Sequence, residues 1–126
     1  MTDYSQMSDQ EINQEVTCIL SPDAQKMALI GDGSCFYDCG PDGNGFYEIP
    51  VLDYCNNPAD AWSIIMSNNI DICKDYDVCC DFCNEYYPTD YWEASNCDNH
   101  SMDENPLRAA MIVFLMMQDS SNANSI

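Results

Sequence analysis

The sequence predicts an α+β fold, with about three helices packed on a small, mostly antiparallel sheet in one compact domain. Three observations carry this expectation. Three segments open with the cap punctuation of helices, a capping box at Ser8 and a polar cap followed by proline at Asn57 and Asn105. Between them lie short runs of β-type composition broken by glycine and proline turns. The chain has 126 residues, enough for one domain with a buried core and too few for two of ordinary size. The order helix, two strands, helix, strand or strands, helix suits helices layered on an antiparallel sheet.

The first helix is announced by Ser8 and Glu11, an S-x-x-E capping box, with Met7 and Ile12 at the two positions of a hydrophobic staple. Ile12, Val16, Ile19 and Leu20 line one face, and Ser21-Pro22 closes the helix. "MALI" and "FYEIPVL" read as strands on either side of "GDGSCFYDCGPDGNG", a stretch read as turns because of Asp42-Gly43 and Asn44-Gly45. In the second helix Asn57 and Pro58 stand at cap and first turn, Asp60 complements the helix dipole, and Ala61, Trp62, Ile65 and Met66 make a stripe. "NIDIC" alternates like a strand, and "YYPTDYWEA" has β-type composition interrupted by Pro88.

The third helix is the unusual one. Its unbroken apolar run, Ala109 to Met117, is nine residues long, where a membrane-spanning helix needs about 20. Asn105 is a good N-cap and Pro106 then takes the first helical position. Leu107, Ala110, Met111, Phe114 and Leu115 follow helical spacing, while Ile112, Val113, Met116 and Met117 fill the other side. A helix apolar all round is buried on more than one face. The expectation is a core helix running to about Gln118, closing the core of a monomer or of a homodimer. The globular domain then spans residues 1–119, with "SSNANSI", 120–126, a flexible tail. The first twenty residues carry no basic region and no apolar core, so no signal peptide is expected.

Charge narrows the partners. The chain holds 22 Asp and Glu against three Lys and Arg, a formal net charge of −19. Such an excess repels nucleic acid and anionic lipid, so neither direct nucleic-acid binding nor membrane binding is expected. It favours a basic partner, because complementary fields steer encounter and set specificity. The alternative is that acidity only keeps the protein soluble.

"DYSQMSDQEIN", "CNNPADAWSIIMSNNIDI" and "NPLRAAMIVFLMMQ" together resemble the NinX-type proteins of lambdoid bacteriophages and prophages, small proteins without an assigned biochemical function. The resemblance implies an α/β/α-like sandwich and a phage-encoded protein made in the bacterial host cytoplasm. It brings no catalytic residues. The segment from Cys73 to His100 matches no family pattern, and nothing transfers there.

That segment is the most chemically loaded. Of the nine cysteines, Cys80-x-x-Cys83 is followed by Cys97-x-x-His100, two short knuckles thirteen residues apart that can offer three thiolates and an imidazole to tetrahedral zinc. Reduced, unligated thiols are the main alternative and disulfides the third, given an odd cysteine count and a reducing cytoplasm. No cofactor is expected unless these four residues take zinc.

Other chemical readings fail on their residues. From Asp38 to Ile49 a calcium loop would need a ligand where Gly40 stands and a Glu in place of Ile49. "GDGSC" lacks the Lys-Ser/Thr of a phosphate cradle. Nothing local pairs His100 with a particular cysteine as nucleophile and base. No constellation meets the roles an active site requires, so an enzyme is not expected.

What remains is an interface. Asp71, Asp75, Asp77, Asp81, Glu85, Asp90 and Glu93, with Asp98, Asp103 and Glu104 beyond them, are interleaved with Tyr76, Phe82, Tyr86, Tyr87, Tyr91 and Trp92. Aromatics within a charged surface are what binding hot spots are made of, although the same aromatics suit the packed face of a sheet. The expected function is binding a basic host protein. One form is imitation of the phosphate pattern of DNA, to occupy a nuclease, a defence complex or a recombination factor. A small zinc-stabilised interaction module is the alternative.

Overall fold

The structure is a computed structural model that describes residues 3–39, 47–80 and 85–123, the side chains of 75–80, 85–90 and 120–123 excepted. Its described residues form three α-helices and six strands, and the strands make two antiparallel three-stranded sheets. The mixed α+β class is as the sequence predicts, with two small sheets in place of one. Each sheet is a meander in which strands adjacent in sequence pair, and a helix separates the third strand from the fourth in sequence. The chain divides into two compact units, Met1–Tyr54 and Cys55–Ile126.

In the first unit, helix α1 spans Asp9–Leu20 and starts on the capping box. Ser8 Oγ accepts from the Glu11 N–H at 3.1 Å, and Glu11 Oε1 accepts from the Ser8 N–H at 3.2 Å. Its buried face is Ile12, Asn13, Val16 and Thr17. Leu20 does not join them and stands exposed, because the helix ends there and Ser21 turns the chain away, its N–H bonded to the Thr17 carbonyl. Strands β1 (Ala28–Leu29), β2 (Cys35–Asp38) and β3 (Tyr47–Pro50) pair in that order. β2 lies inside the stretch read as turns: "CFYD" is flanked by turn residues but pairs on both sides, Phe36 with Leu29 and with Ile49. The turn before β2 needs Gly33, at φ +78°, and a Cβ there would come within 2.5 Å of Gln10 Nε2. Gln10 and Gln14 hold this turn by donating to the Asp32 and Gly33 carbonyls. Hydrogen bonds from Ser34 in the same turn lower the pKa of Asp32.

The second unit is built around one helix. α2 spans Pro58–Ser67, followed by β4 (Asp71–Cys80), β5 (Glu85–Asn96), β6 (Asn99–Asp103) and α3 (Pro106–Ala123). α3 packs on β5 and β6 and against α2. Every side chain from Ala109 to Leu115 is buried, as expected of a helix apolar all round. Each large one contributes about 1.5–3 kcal/mol by leaving water. Asn105 is the N-cap: its Oδ1 accepts from the N–H groups of Leu107 at 3.0 Å and Arg108 at 3.4 Å. The helix continues to Ala123 rather than stopping near Gln118, so residues 120–123 are helical where a tail was expected. Serine and asparagine are only moderate helix formers, yet with no proline or glycine after Pro106 they extend a helix already nucleated by its buried turns.

α2 corrects the sequence reading on another point. Its buried residues are Ala61, Ile64 and Ile65, and Trp62 and Met66 face outward. "AWSIIM" offers two apolar stripes about one residue apart, and packing on α3 selects the aliphatic one.

Candidate partner-binding surface

The sheet β4-β5-β6 holds most of the residues singled out as functional, and its register sorts them onto two faces. Side chains alternate along a strand, and cross-strand partners share a face. Ile72 pairs with Ala94 and Ala94 with Ser101, while Lys74 pairs with Trp92 and Trp92 with Asp103. This is the face α3 covers: Ala94 is fully buried, and Arg108 at the start of α3 reaches Asp103 with its Nε 3.0 Å from Oδ2. The opposite face carries the rows Asp71, Ser95, His100 and Cys73, Glu93, Met102, with Tyr91 beside them. Asp71, Cys73, Tyr91, His100 and Met102 are all exposed there.

Two expected interface residues therefore change role. Trp92 lies half-buried on the covered face, with the Lys74 ammonium 5.1 Å from its ring centre, an arrangement for internal packing. Asp103 is committed twice, to Arg108 and to the Asn105 N–H. Asp71 is exposed and Glu93 half-exposed on the open face, as a binding role needs. Asp81 lies outside the described residues, as do the side chains of Asp75, Asp77, Glu85, Tyr86, Tyr87 and Asp90, whose backbones run along β4 and β5.

The strand register sets Cys80 and Cys97, two of the four candidate zinc ligands, at opposite ends of β5. Cys80 pairs with Glu85 at the start of β5, whereas Cys97 follows Asn96 at its end. β5 has 12 residues, and at about 3.3 Å each that separates the two knuckles by roughly 35 Å. Zinc–sulfur bonds are about 2.3 Å, so ligands of one ion must lie within a few ångströms of each other. Cys83 lies outside the described residues. The spacing that suggested a metal loop is filled by strand. Among the described residues no group of three or more His, Cys, Asp or Glu is placed to hold a metal ion. The thiols of Cys18, Cys35, Cys39, Cys73 and Cys97 are free. Burial, and the Glu48 carboxylate next to it, push the Cys35 thiol's pKa up, so it stays protonated.

Asp71, Ser95 and His100 form a row that sequence reading did not find, because β6, "NHSMD", has no hydrophobic pattern to mark it as a strand. Ser95 stands in the middle. A nucleophilic triad needs the histidine between serine and acid, so this order does not supply one. Cys97, in the turn before β6, has φ +51°, a left-handed conformation rare for residues other than glycine and asparagine.

A family model described as bacteriophage P22, NinX, matches residues 3–118. The chain belongs to the NinX family. The match takes in all three helices' starts, both sheets and the whole open face, so the resemblance seen in three separate stretches extends through the cysteine-rich segment between them. Nothing among curated proteins or solved structures matches this NinX chain. No helix among its described residues is long and apolar enough to cross a membrane.

Proposed function

We propose that this phage protein works by binding, without catalysing a reaction, and that its ligand is a basic surface of a host protein. One observation carries the reading. The chain has 22 carboxylates and three cations, and two of the cations, Arg108 and Lys74, are engaged on the helix-covered face of the sheet. Internal pairing can neutralise only a small part of the acid. Among the described residues Asp71, Asp98 and Glu104 stand exposed and add to a negative field over the β4-β5-β6 sheet. A positively charged protein is the partner such a field attracts.

The sharper form of the proposal is DNA imitation. The β4-β5 segment is rich in carboxylates, as a phosphate backbone is rich in negative charge, and a nuclease, defence complex or recombination factor would meet them with its DNA-binding groove. The place of action is the bacterial host's cytoplasm. The test is tagged capture from host cells, followed by competition between DNA and this protein for whatever basic protein is found. Affinity should fall steeply as the Debye length shrinks from about 10 to 3 Å, and changing Asp75, Asp77 and Asp81 to Asn should weaken competition without unfolding. Binding indifferent to both salt and those substitutions would sink the electrostatic mechanism. Simultaneous binding of DNA and this protein to the partner would remove imitation and leave an acidic interaction module.

A further inference from the structure

The outer face of α2 is uncharged, with Asp60 half-exposed at its edge. Its exposed positions, Pro58, Ala59, Trp62, Ser63, Met66 and Ser67, include no charged residue, in a chain where charged residues make up 20%. Trp62 is 61% exposed and Met66 58% exposed, one helical turn apart. Ala59, Trp62, Ser63 and Met66 stand at i, i+3, i+4 and i+7, the spacing by which a helix lies in another protein's groove.

The face is also held rigidly. Asn57 Oδ1 caps the helix start, accepting from the Ala59 N–H at 3.0 Å. At the other end Asn68 Nδ2 donates to the Ile64 carbonyl, and Asn96 Nδ2 of β5 donates to the Asn68 and Asn69 carbonyls at 2.9 and 3.2 Å. Ala61, Ile64 and Ile65 fix the inner side. A tryptophan presented this way loses little conformational freedom on binding, which is what makes a good anchor.

Four occupants are conceivable, and charge and area decide between them. Anionic lipid and nucleic acid are repelled by a net charge of −19. A second copy brings the same −19. It would also have to hold through a helix of 10 residues, about 15 Å long and presenting on the order of 150–200 Å². A stable pair buries about 800 Å² on each partner. A basic protein remains, since its charge supplies attraction over the surrounding acid and an apolar recess on it can take the two side chains.

We propose that Trp62 and Met66 on α2 are the apolar anchor of the interface, seated in a recess on a positively charged protein surface. This rests on the acidic binding reading above and adds to it the side chains that give the contact its affinity.

The test uses two synthetic probes of equal length and charge on the full chain. One is an amphipathic lysine–leucine helix, which joins positive charge to an apolar face; the other is oligolysine, which has charge alone. The amphipathic probe should bind at least tenfold tighter by calorimetry. Trp62→Ala and Met66→Ala should remove that advantage, Trp62→Ala costing about thirtyfold, a hot-spot loss of about 2 kcal/mol. Both variants should leave oligolysine affinity and the melting temperature unchanged, and Leu29→Ala, at an exposed leucine of the other unit, should change nothing. Equal binding of the two probes, or an advantage that survives Trp62→Ala, overturns the anchor while leaving the acidic reading intact. Failure of oligolysine itself to bind at low salt overturns the acidic reading, and the anchor with it.

Discussion

The two faces of the β4-β5-β6 sheet treat charge in opposite ways. On the face under α3, Asp103 meets Arg108 at 3.0 Å and the Lys74 ammonium lies over the Trp92 ring, so both cations have a partner within the fold. On the open face, Asp71 and Glu93 lie with Ser95, His100, Cys73 and Met102, and no arginine or lysine is among the cross-strand partners. One sheet thus carries an ion pair on its covered side and exposed acid on its open side.

The contrast can be broken by substitution, and the expected effects fall in a clear order. Phe114→Asp puts an unpaired charge into the α3 core, where Phe114 is 3% exposed. It should cost several kcal/mol against a total of about 5–15 and leave the chain unfolded or aggregated by circular dichroism. A variant that melts like the parent would mean α3 is not the core helix. Arg108→Ala is next. The pair is partly covered, so its loss should lower stability by about 1–2 kcal/mol in urea denaturation. A cycle with Asp103→Asn should return most of that as coupling energy, and additive effects would dismiss the pair.

Lys74→Ala removes the ammonium from the Trp92 ring and should cost about 0.5–1 kcal/mol, with a change in near-ultraviolet dichroism from Trp92. No spectral change would place the ring elsewhere. The smallest stability effect belongs to the open face. Asp71→Asn together with Glu93→Gln should move stability by no more than about 0.5 kcal/mol, yet reduce the salt dependence of binding to a basic probe. If this double variant destabilised the fold as much as Arg108→Ala, the two faces would not differ as described.

Much of the fold was legible because helix ends are local. Ser8 with Glu11, Asn57 with Pro58, and Asn105 with Pro106 each signal a terminus within four residues, and each makes its capping hydrogen bond. The strands were less legible. β2 and β6 are held by their neighbours more than by their own composition, and nothing in "NHSMD" says which strand it will join. The α2 stripe was misread because both candidate faces are apolar, and only packing on α3 distinguishes Ile64 from Trp62. The zinc spacing was ambiguous for a related reason: thirteen residues can form a loop that returns to its start or a strand that spans roughly 35 Å, and Cys-x-x-Cys spacing does not tell these apart. The binding face was half legible. Its acids were evident, but the pleat that sends Trp92 inward and Tyr91 outward is a matter of register.

Asn105 makes one more connection. Besides capping α3, its Nδ2 donates to the Cys55 carbonyl at 2.6 Å and to Asn56 Oδ1 at 3.0 Å, and its own N–H donates to Asp103. One side chain thus ties together the end of β6, the first turn of α3 and the approach to α2. These pieces should not fray separately. In native-state hydrogen exchange the amides of Leu107, Arg108 and Ala109 should open together with those at the start of α2, as one cooperative unit. In an Asn105→Ala protein the same amides should exchange independently and faster, with the centre of α3 still protected.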